Sequence, residues 1–395
     1  MLLGLLQAAL QQVDGRRCVR EALTGLEPAA RRVWVAAVGK AAASMTCGAR
    51  DALGDAIERT LVITRDPPAP GQLDADSALE ILLGAHPMPD ERSLAAGARL
   101  LAWVEALPPA VQPLFLISGG ASALTEVLVP GKTLADLAAL TQLGLAQGWE
   151  IGELNARRVA LSQIKGGRLA ARLHGRPARA LFVSDVPHDD PAVIGSGLMG
   201  PAAGGDAVER RVVASVDHAV RAVAQAAAAL GLSVHAPAQR FAGHAARLAA
   251  RFAHELCLLS VELCVWGGES TVVLPAQPGR GGRNQHLALA AARLIAGHPE
   301  LLLLAAGTDG SDGVTEDAGA LVDADTCARV TLAGLDADEC LKRADAARAL
   351  AASGDLVHTG PTGTNVGDLV IGLKLTPEAA LALPGARGGA RARVL

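Results

Sequence analysis

Short runs in which every position is apolar return along the chain, and several of them end in glycine, serine or aspartate. Val33 to Val38 stops at Gly39, Leu114 to Ile117 at Ser118-Gly119-Gly120, and Ala180 to Val183 at Ser184-Asp185, while Thr60 to Thr64 repeats the pattern. Strands that are apolar on both faces and separated by helix-forming stretches indicate a mostly parallel sheet covered on both sides. Asp90-Glu91-Arg92-Ser93 opens a helical pattern that reaches about Ala106 and closes at Pro108-Pro109. The alanine-rich stretch 207–232 reads as a further helix, and Met1 to Leu6, running into Gln7, Gln11 and Gln12, as a first amphipathic one. The second half restarts with a helix near 244–257, followed by apolar runs at 258–266, 271–274, 301–306, 319–322 and 368–375. A chain of 395 residues exceeds one ordinary core, so two domains are expected. Residues 233–243 contain Pro237 and lack a strong period, which places the division at 1–237 and 238–395.

Composition narrows the class. Half the residues are hydrophobic and 19% are charged, a globular balance. The mean hydropathy of +0.30 comes mostly from alanine, and no stretch approaches the roughly 18 apolar residues of a membrane span. The N-terminus lacks a basic region before its apolar residues, so a cytoplasmic protein without a secretory signal is expected. The net charge of −4 is spread over interspersed acids and bases, aromatics are 2%, and tyrosine is absent. Neither the basic stripe nor the stacking surface that nucleic acid needs is present. The six cysteines form no CxxC pair and read as reduced thiols. Lysine occurs only at 40, 132, 165, 342 and 374, yet Lys40 and Lys165 stand beside glycines, a sign that an ammonium is wanted there.

Phosphate chemistry needs backbone N–H groups, fixed cations and usually a divalent metal around one charged group. Neither GxxxxGK[ST] nor GxGxxG occurs, so a phosphate site has to be built otherwise. Gly39-Lys40 sits at a strand-to-helix junction, where a cation opposes the helix dipole unless an anion binds there. Ser118-Gly119-Gly120-Ala121-Ser122 is a second such junction; it is either a tight turn or a close approach of backbone to a ligand. Lys165-Gly166-Gly167 follows Asn155, Arg158 and Ser162, a set that could hold a carboxylate or phosphate or be an exposed loop. The acids in Ser184 to Asp190 suit Mg²⁺, with Asp185 and Asp189 as candidate ligands, or else cap the next turn. Glu269 and Ser270 flank an expected strand at 271–274, and Gly279 to Gln285, the densest glycine–arginine loop, places Arg283 and Asn284 at a helix start. Asp309 stands in Gly307-Thr308-Asp309-Gly310-Ser311-Asp312-Gly313, and Thr362, Thr364 and Asn365 in a hydroxyl-rich loop. In α/β sheets ligands bind at the carboxyl ends of strands, where most of these loops are expected.

Taken in order, these stretches resemble the class II glycerate kinases, which carry a C-terminal MOFRL domain and some of whose members are labelled hydroxypyruvate reductases. The matching segments are VGKAAASM at 38–45, GAHPMPDERSLAAG at 84–97, LISGGASAL at 116–124, LSQIKGGRLA at 161–170 and SDVPHDDPAVIGSG at 184–197. They continue with WGGESTVVL at 266–274, GRGGRNQ at 279–285, GTDGSDG at 307–313 and TGPTGTNVGDL at 359–369. The resemblance implies two α/β/α domains with mostly parallel sheets and an interdomain active-site cleft. It implies transfer of the ATP γ-phosphoryl group to the 2-hydroxyl of glycerate with Mg²⁺, and it puts Lys40 and Arg283 on the family's basic active-site positions. Ser118, Gly119, Gly120, Ser122, Asn155, Lys165, Glu269, Asn284, Asp309, Thr362, Thr364 and Asn365 are the expected contacts to substrate or nucleotide. Four positions depart from the family pattern: His188 for glycine, Leu198 for proline, Ala121 for a third glycine and His286 for glutamate. An NAD(P)H-dependent hydroxypyruvate reductase and a sugar-acid binding protein are the alternative readings, no membrane or nucleic-acid partner is expected, and a homodimer is left open.

Overall fold

The computed structural model describes residues 1–25, 32–73, 77–147, 151–375 and 393–394. By internal contact the chain falls into two units. The N-terminal unit is Asp14–Ser215 together with Gly363–Asn365; the C-terminal unit is Met1–Val13, Val216–Thr362 and the chain from Val366 onward. The units therefore part at Ser215/Val216 and not at 237/238, because Pro237 lies in a short connection inside the second unit.

The N-terminal unit is built on strands β1 (Val33–Val38), β2 (Ile57–Thr64), β3 (Leu79–Leu83), β4 (Gln112–Ser118), β5 (Ala178–Val183) and β6 (Val208–Ala214). Their order is β3-β2-β1-β4-β5-β6, and every pairing is parallel. The order reverses between β1 and β4, where Val38 pairs with Ile117. One face of the sheet, with Trp34, Val38, Phe115 and Phe182, packs on Leu100 and Trp103 of the helix Glu91–Glu105. Trp103 lies 5.5 Å from Trp34 and 5.9 Å from Phe115, ring centre to ring centre. Asp90 caps this helix by accepting from the N–H groups of Arg92 and Ser93, as the sequence predicts. The helix Ala42–Leu53 packs against β1, β2 and β4. Residues 208–214, expected as helix, form strand β6. Val208, Val212 and Val213 favour the pleated surface, and Glu209 and Arg211 are the charges an edge strand carries toward solvent.

The C-terminal unit holds β7 (Val234–His235), β8 (Phe241–His244), β9 (Leu263–Thr271), β10 (Leu301–Gly307), β11 (Gly319–Asp323), β12 (Leu356–His358), β13 (Asp368–Lys374) and β14 (Arg393–Val394). The order is β14-β12-β11-β10-β13-β9-β7, with β8 also on β9. The α/β class is as expected, but this sheet is mixed: β10 runs antiparallel to β11 and β13, and β13 antiparallel to β9. An all-apolar strand reports burial on both faces and not direction, and helices cover both faces here too. Helices Ala245–Leu258 and Arg283–Leu294 build one core with Trp266, Leu303 and Val370. The helix Val216–Ala229 packs on β9 and β13 and carries the first helix, Leu2–Gln12, whose Leu2, Leu5, Leu6 and Ala9 are buried. The strand expected at 271–274 lies earlier, so Gly267-Gly268-Glu269-Ser270 is inside β9, while Val273 and Leu274 are exposed. No helix among the described residues is long and apolar enough to cross a membrane.

Candidate functional site

At the reversal of strand order in the N-terminal unit, the loops leaving β1 and β4 part to opposite sides, which opens a crevice at the carboxyl ends of the strands. Gly39-Lys40 leaves β1 and Ser118-Gly119-Gly120 leaves β4. The Lys40 N–H donates to the Gly119 carbonyl at 2.9 Å, and the Ala41 N–H donates to Ser118 Oγ at 3.0 Å. Lys40 precedes the cap of the helix Ala42–Leu53 and does not lie in its first turn. Ser118 is fully buried, so it joins the two loops and offers no surface to a ligand.

Glycine is required at both positions of the second loop. A Cβ on Gly119 would lie 1.9 Å from Asp185 Oδ2 and 2.1 Å from Asn365 Nδ2. Gly120 has φ +84, and a Cβ there would lie 3.2 Å from His86 and 3.3 Å from the Lys40 stem. Asn365 Nδ2 donates to Asp185 Oδ2 at 3.0 Å. The structure thus brings together Lys40, Gly119, Gly120, Asp185 and Asn365, all expected, and adds His86, which stands in the quoted segment 84–97 but carried no role. Ser122 faces Ser196, Oγ to Oγ at 2.8 Å.

Other expected residues have different surroundings. Lys165 is 2% exposed, and its Nζ lies 2.5 Å from Oε2 of the fully buried Glu126. Burial pushes its pKa down, with Glu126 opposing. Glu126 Oε1 accepts from Ser162 Oγ at 2.5 Å and from the Val127 N–H at 3.0 Å. Lys165 thus pairs with a carboxylate of the fold, a partner the sequence could not supply because Glu126 is 39 positions away. Asn155 is half-buried on the helix Ile151–Ala160, and Thr364 is buried beside Asn365 in the chain. His188 and Asp189 have φ +64 and +54, a left-handed backbone that the glycine implied at 188 by the resemblance would adopt without strain. Among the described residues no three His, Cys, Asp or Glu side chains gather as a metal cage. Magnesium carried by nucleotide phosphates needs only one or two carboxylates, and Asp185, packed beside Gly119, is of the right donor type.

In the C-terminal unit the end of β9, the end of β10 and the start of β13 lie at one edge of the sheet, with Gly268 and Gly307 both opposite Asp368. Arg283, at the first position of its helix, is held by two carboxylates. Asp368 faces Nε at 2.8 Å and accepts from Nη2 at 3.1 Å, and Glu269 accepts from Nη1. Asn284 Nδ2 donates to Asp368 Oδ1 at 3.0 Å and to Asp312 Oδ1 at 3.3 Å. Asp312 also takes the helix N–H groups of Asn284 and Gln285, at 3.1 and 2.7 Å. Burial pushes the Asp312 pKa up to about 7 against those two N–H groups. The expected cation is thus already neutralised; its partner Asp368, and Asp312 that holds the neighbouring Asn284, were not singled out from the sequence, although both stand inside quoted segments. Ser270 Oγ and Asn284 Oδ1 are buried beside this cluster without a hydrogen-bond partner. Asp309 Oδ1 accepts from the Ser311 N–H at 3.1 Å, and Thr362 Oγ1 donates to the Thr308 carbonyl at 2.5 Å, so both brace the loop after β10. His286 is 6% exposed, its ring 6.2 Å from that of His244, and burial lowers its pKa to about 4.

Known proteins give this architecture a relationship. Residues 1–230 match a family described as a domain of unknown function, DUF4147, and residues 262–368 match the MOFRL family. A D-glycerate 2-kinase of Thermotoga maritima is 34% identical, over 94% of this chain and 97% of its own. A protein of Agrobacterium vitis named as a hydroxypyruvate reductase is also 34% identical, over 86% of this chain and 98% of its own. The crystal structure of a glycerate kinase from Thermotoga maritima superposes with a TM-score of 0.83 at 32% identity, covering 95% of this chain and 98% of that one. With both domain families present in order and the relatives matched nearly end to end, the chain belongs to the glycerate kinase family that carries a MOFRL domain.

Proposed function

We propose that the protein transfers the γ-phosphoryl group of ATP to the 2-hydroxyl of D-glycerate, giving 2-phosphoglycerate and ADP. The observation that carries this reading is the crevice at the β1/β4 reversal: a lysine, two obligatory glycines and an aspartate held by an amide, in a chain similar over 94% of its length to a D-glycerate 2-kinase. The transition state spreads negative charge over three equatorial oxygens, so a fixed cation binds it more tightly than it binds ground-state ATP. Lys40 supplies that cation, its backbone locked to Gly119. Gly119 and Gly120 let phosphate oxygens approach the main chain. Asp185, and with it Asp189, would hold Mg²⁺ against the phosphates; the ion, when bound, neutralises charge on the β- and γ-phosphates. Arg283 is assigned to an oxyanion of the substrates.

All six cysteines are free thiols, which supports a reducing, cytoplasmic setting. The reductase name has less behind it. The N-terminal sheet has the doubly wound order of dinucleotide-binding proteins, but β1 is not followed by GxGxxG. The test is direct. ATP, Mg²⁺ and D-glycerate should give 2-phosphoglycerate, whereas hydroxypyruvate with NADH should give no oxidation. Lys40→Ala should lower kcat by on the order of 100-fold with the melting temperature unchanged. A product identified as 3-phosphoglycerate, or a kcat for Lys40→Ala within about threefold of wild type, defeats the corresponding part of the reading.

A further inference from the structure

The two carboxylates on Arg283 hold it unequally. Asp368 is 1% exposed, spans Nε and Nη2, and is itself fixed by Asn284 Nδ2 at 3.0 Å and the Ser270 N–H at 3.4 Å. The Glu269 side chain is 51% exposed and meets Nη1 alone. Its backbone is pinned in β9, paired there with Ala242 of β8. Glu269 can therefore leave Arg283 by a side-chain rotation into water. Asp368 cannot do so without leaving a buried charge unpaired.

We propose that Glu269 is an exchangeable stand-in for a substrate oxyanion, leaving Nη1 of Arg283 when a carboxylate or phosphate of the substrates arrives. The inference rests on Arg283 being a substrate-binding cation and adds the sign of the neighbouring residue: Glu269 opposes anion binding instead of contributing to it. In the free protein it helps to orient the guanidinium and gives Nη1 an acceptor. It also sets a threshold for exchange. A carboxylate or phosphate that accepts two N–H groups in one plane can replace a half-exposed carboxylate, and a spherical anion such as chloride, which lacks that geometry, cannot.

The experiment is steady-state kinetics of Glu269→Gln, Arg283→Ala and the double variant, varying D-glycerate and ATP separately and adding chloride. Glu269→Gln should lower the KM of one substrate by on the order of threefold, the effect of removing one partly exposed ion-pair competitor. A fall for glycerate alone assigns the oxyanion to its carboxylate; a fall for ATP alone assigns it to a phosphate. Chloride should inhibit Glu269→Gln more than wild type, and both effects should vanish in the Arg283→Ala background. If Arg283→Ala is impaired while Glu269→Gln leaves both KM values unchanged or raises either, the stand-in role is overturned and the role of Arg283 stands. If the KM shift survives without Arg283, the effect does not pass through the pair and the proposal fails. If Arg283→Ala itself keeps wild-type kcat and KM, the assignment of Arg283 falls, and this inference with it.

Discussion

Lys165→Met is the substitution that separates a lysine of the fold from a lysine of the site. In the protein the ammonium lies 2.5 Å from Glu126, with side-chain exposures of 2% and 0%. Methionine keeps most of the volume, so little cavity is created. What remains is a buried carboxylate without its countercharge, a loss of about 3–5 kcal/mol. Glu126 keeps the Ser162 hydroxyl and the Val127 N–H as donors, which argues for the lower end, about 3 kcal/mol. For a unit of this size each kcal/mol moves the melting temperature by about 2–4 °C, so a fall of about 6–12 °C is expected. Adding Glu126→Gln removes the stranded charge and should recover at least half of that loss. Thermal and urea unfolding followed by circular dichroism measure both variants. A Lys165→Met protein that melts with wild type but has lost on the order of 100-fold in kcat would refute this reasoning and return Lys165 to the phosphate. A double variant no more stable than the single one would show that the charge is not what was lost.

Three further outcomes follow from the same geometry. Gly119→Ala drives a methyl group into Asp185 and Asn365 and should lower kcat/KM by on the order of tenfold or more, by displacing a positioned group; unchanged kinetics would mean that the loop moves without consequence. Asp185→Asn should raise the Mg²⁺ concentration for half-maximal rate by about tenfold, as expected for loss of one of two carboxylates, and EDTA should stop turnover reversibly; an unaltered metal titration removes Asp185 from the list of ligands. Folding raises the Asp312 pKa from 3.8 to about 7, so its stabilising contribution is present below about pH 4 and is lost as pH rises through about 7. The stability of wild type relative to Asp312→Asn should therefore decline between pH 5 and pH 8 in urea melts, and a constant difference would contradict the raised value.

Much of the parallel half of the fold was legible because its signal is local, although β6 was read as helix. Apolar runs ending in glycine mark β1 and β4, and the cap at Asp90 marks the start of its helix. The mixed direction of the second sheet was not, since Leu301–Gly307 looks the same to the eye whether its neighbours run with it or against it. The site divided along similar lines. Gly119 and Gly120 could be read from their spacing, because close approach and positive φ both demand glycine. Partners could not: the buried carboxylates Glu126 and Asp368, which claim Lys165 and Arg283, lie 39 and 85 positions away in the chain, and no periodicity connects them. A cation beside glycines therefore reads as available whether or not the fold has already given it a partner.

The three residues Gly363–Asn365 belong to the N-terminal unit, while Thr362 and Val366 on either side belong to the other. The amide that steadies Asp185 is thus encoded 180 positions downstream of it, in what a gene map would show as the second domain. A fragment ending at Ser215 would contain the whole parallel sheet and still lack that amide. Cutting and shuffling at domain borders, the usual route by which modules spread between proteins, would break the crevice each time. This architecture favours inheritance of the two units as one reading frame, and any split-protein version would have to place its break away from the return at 363–365.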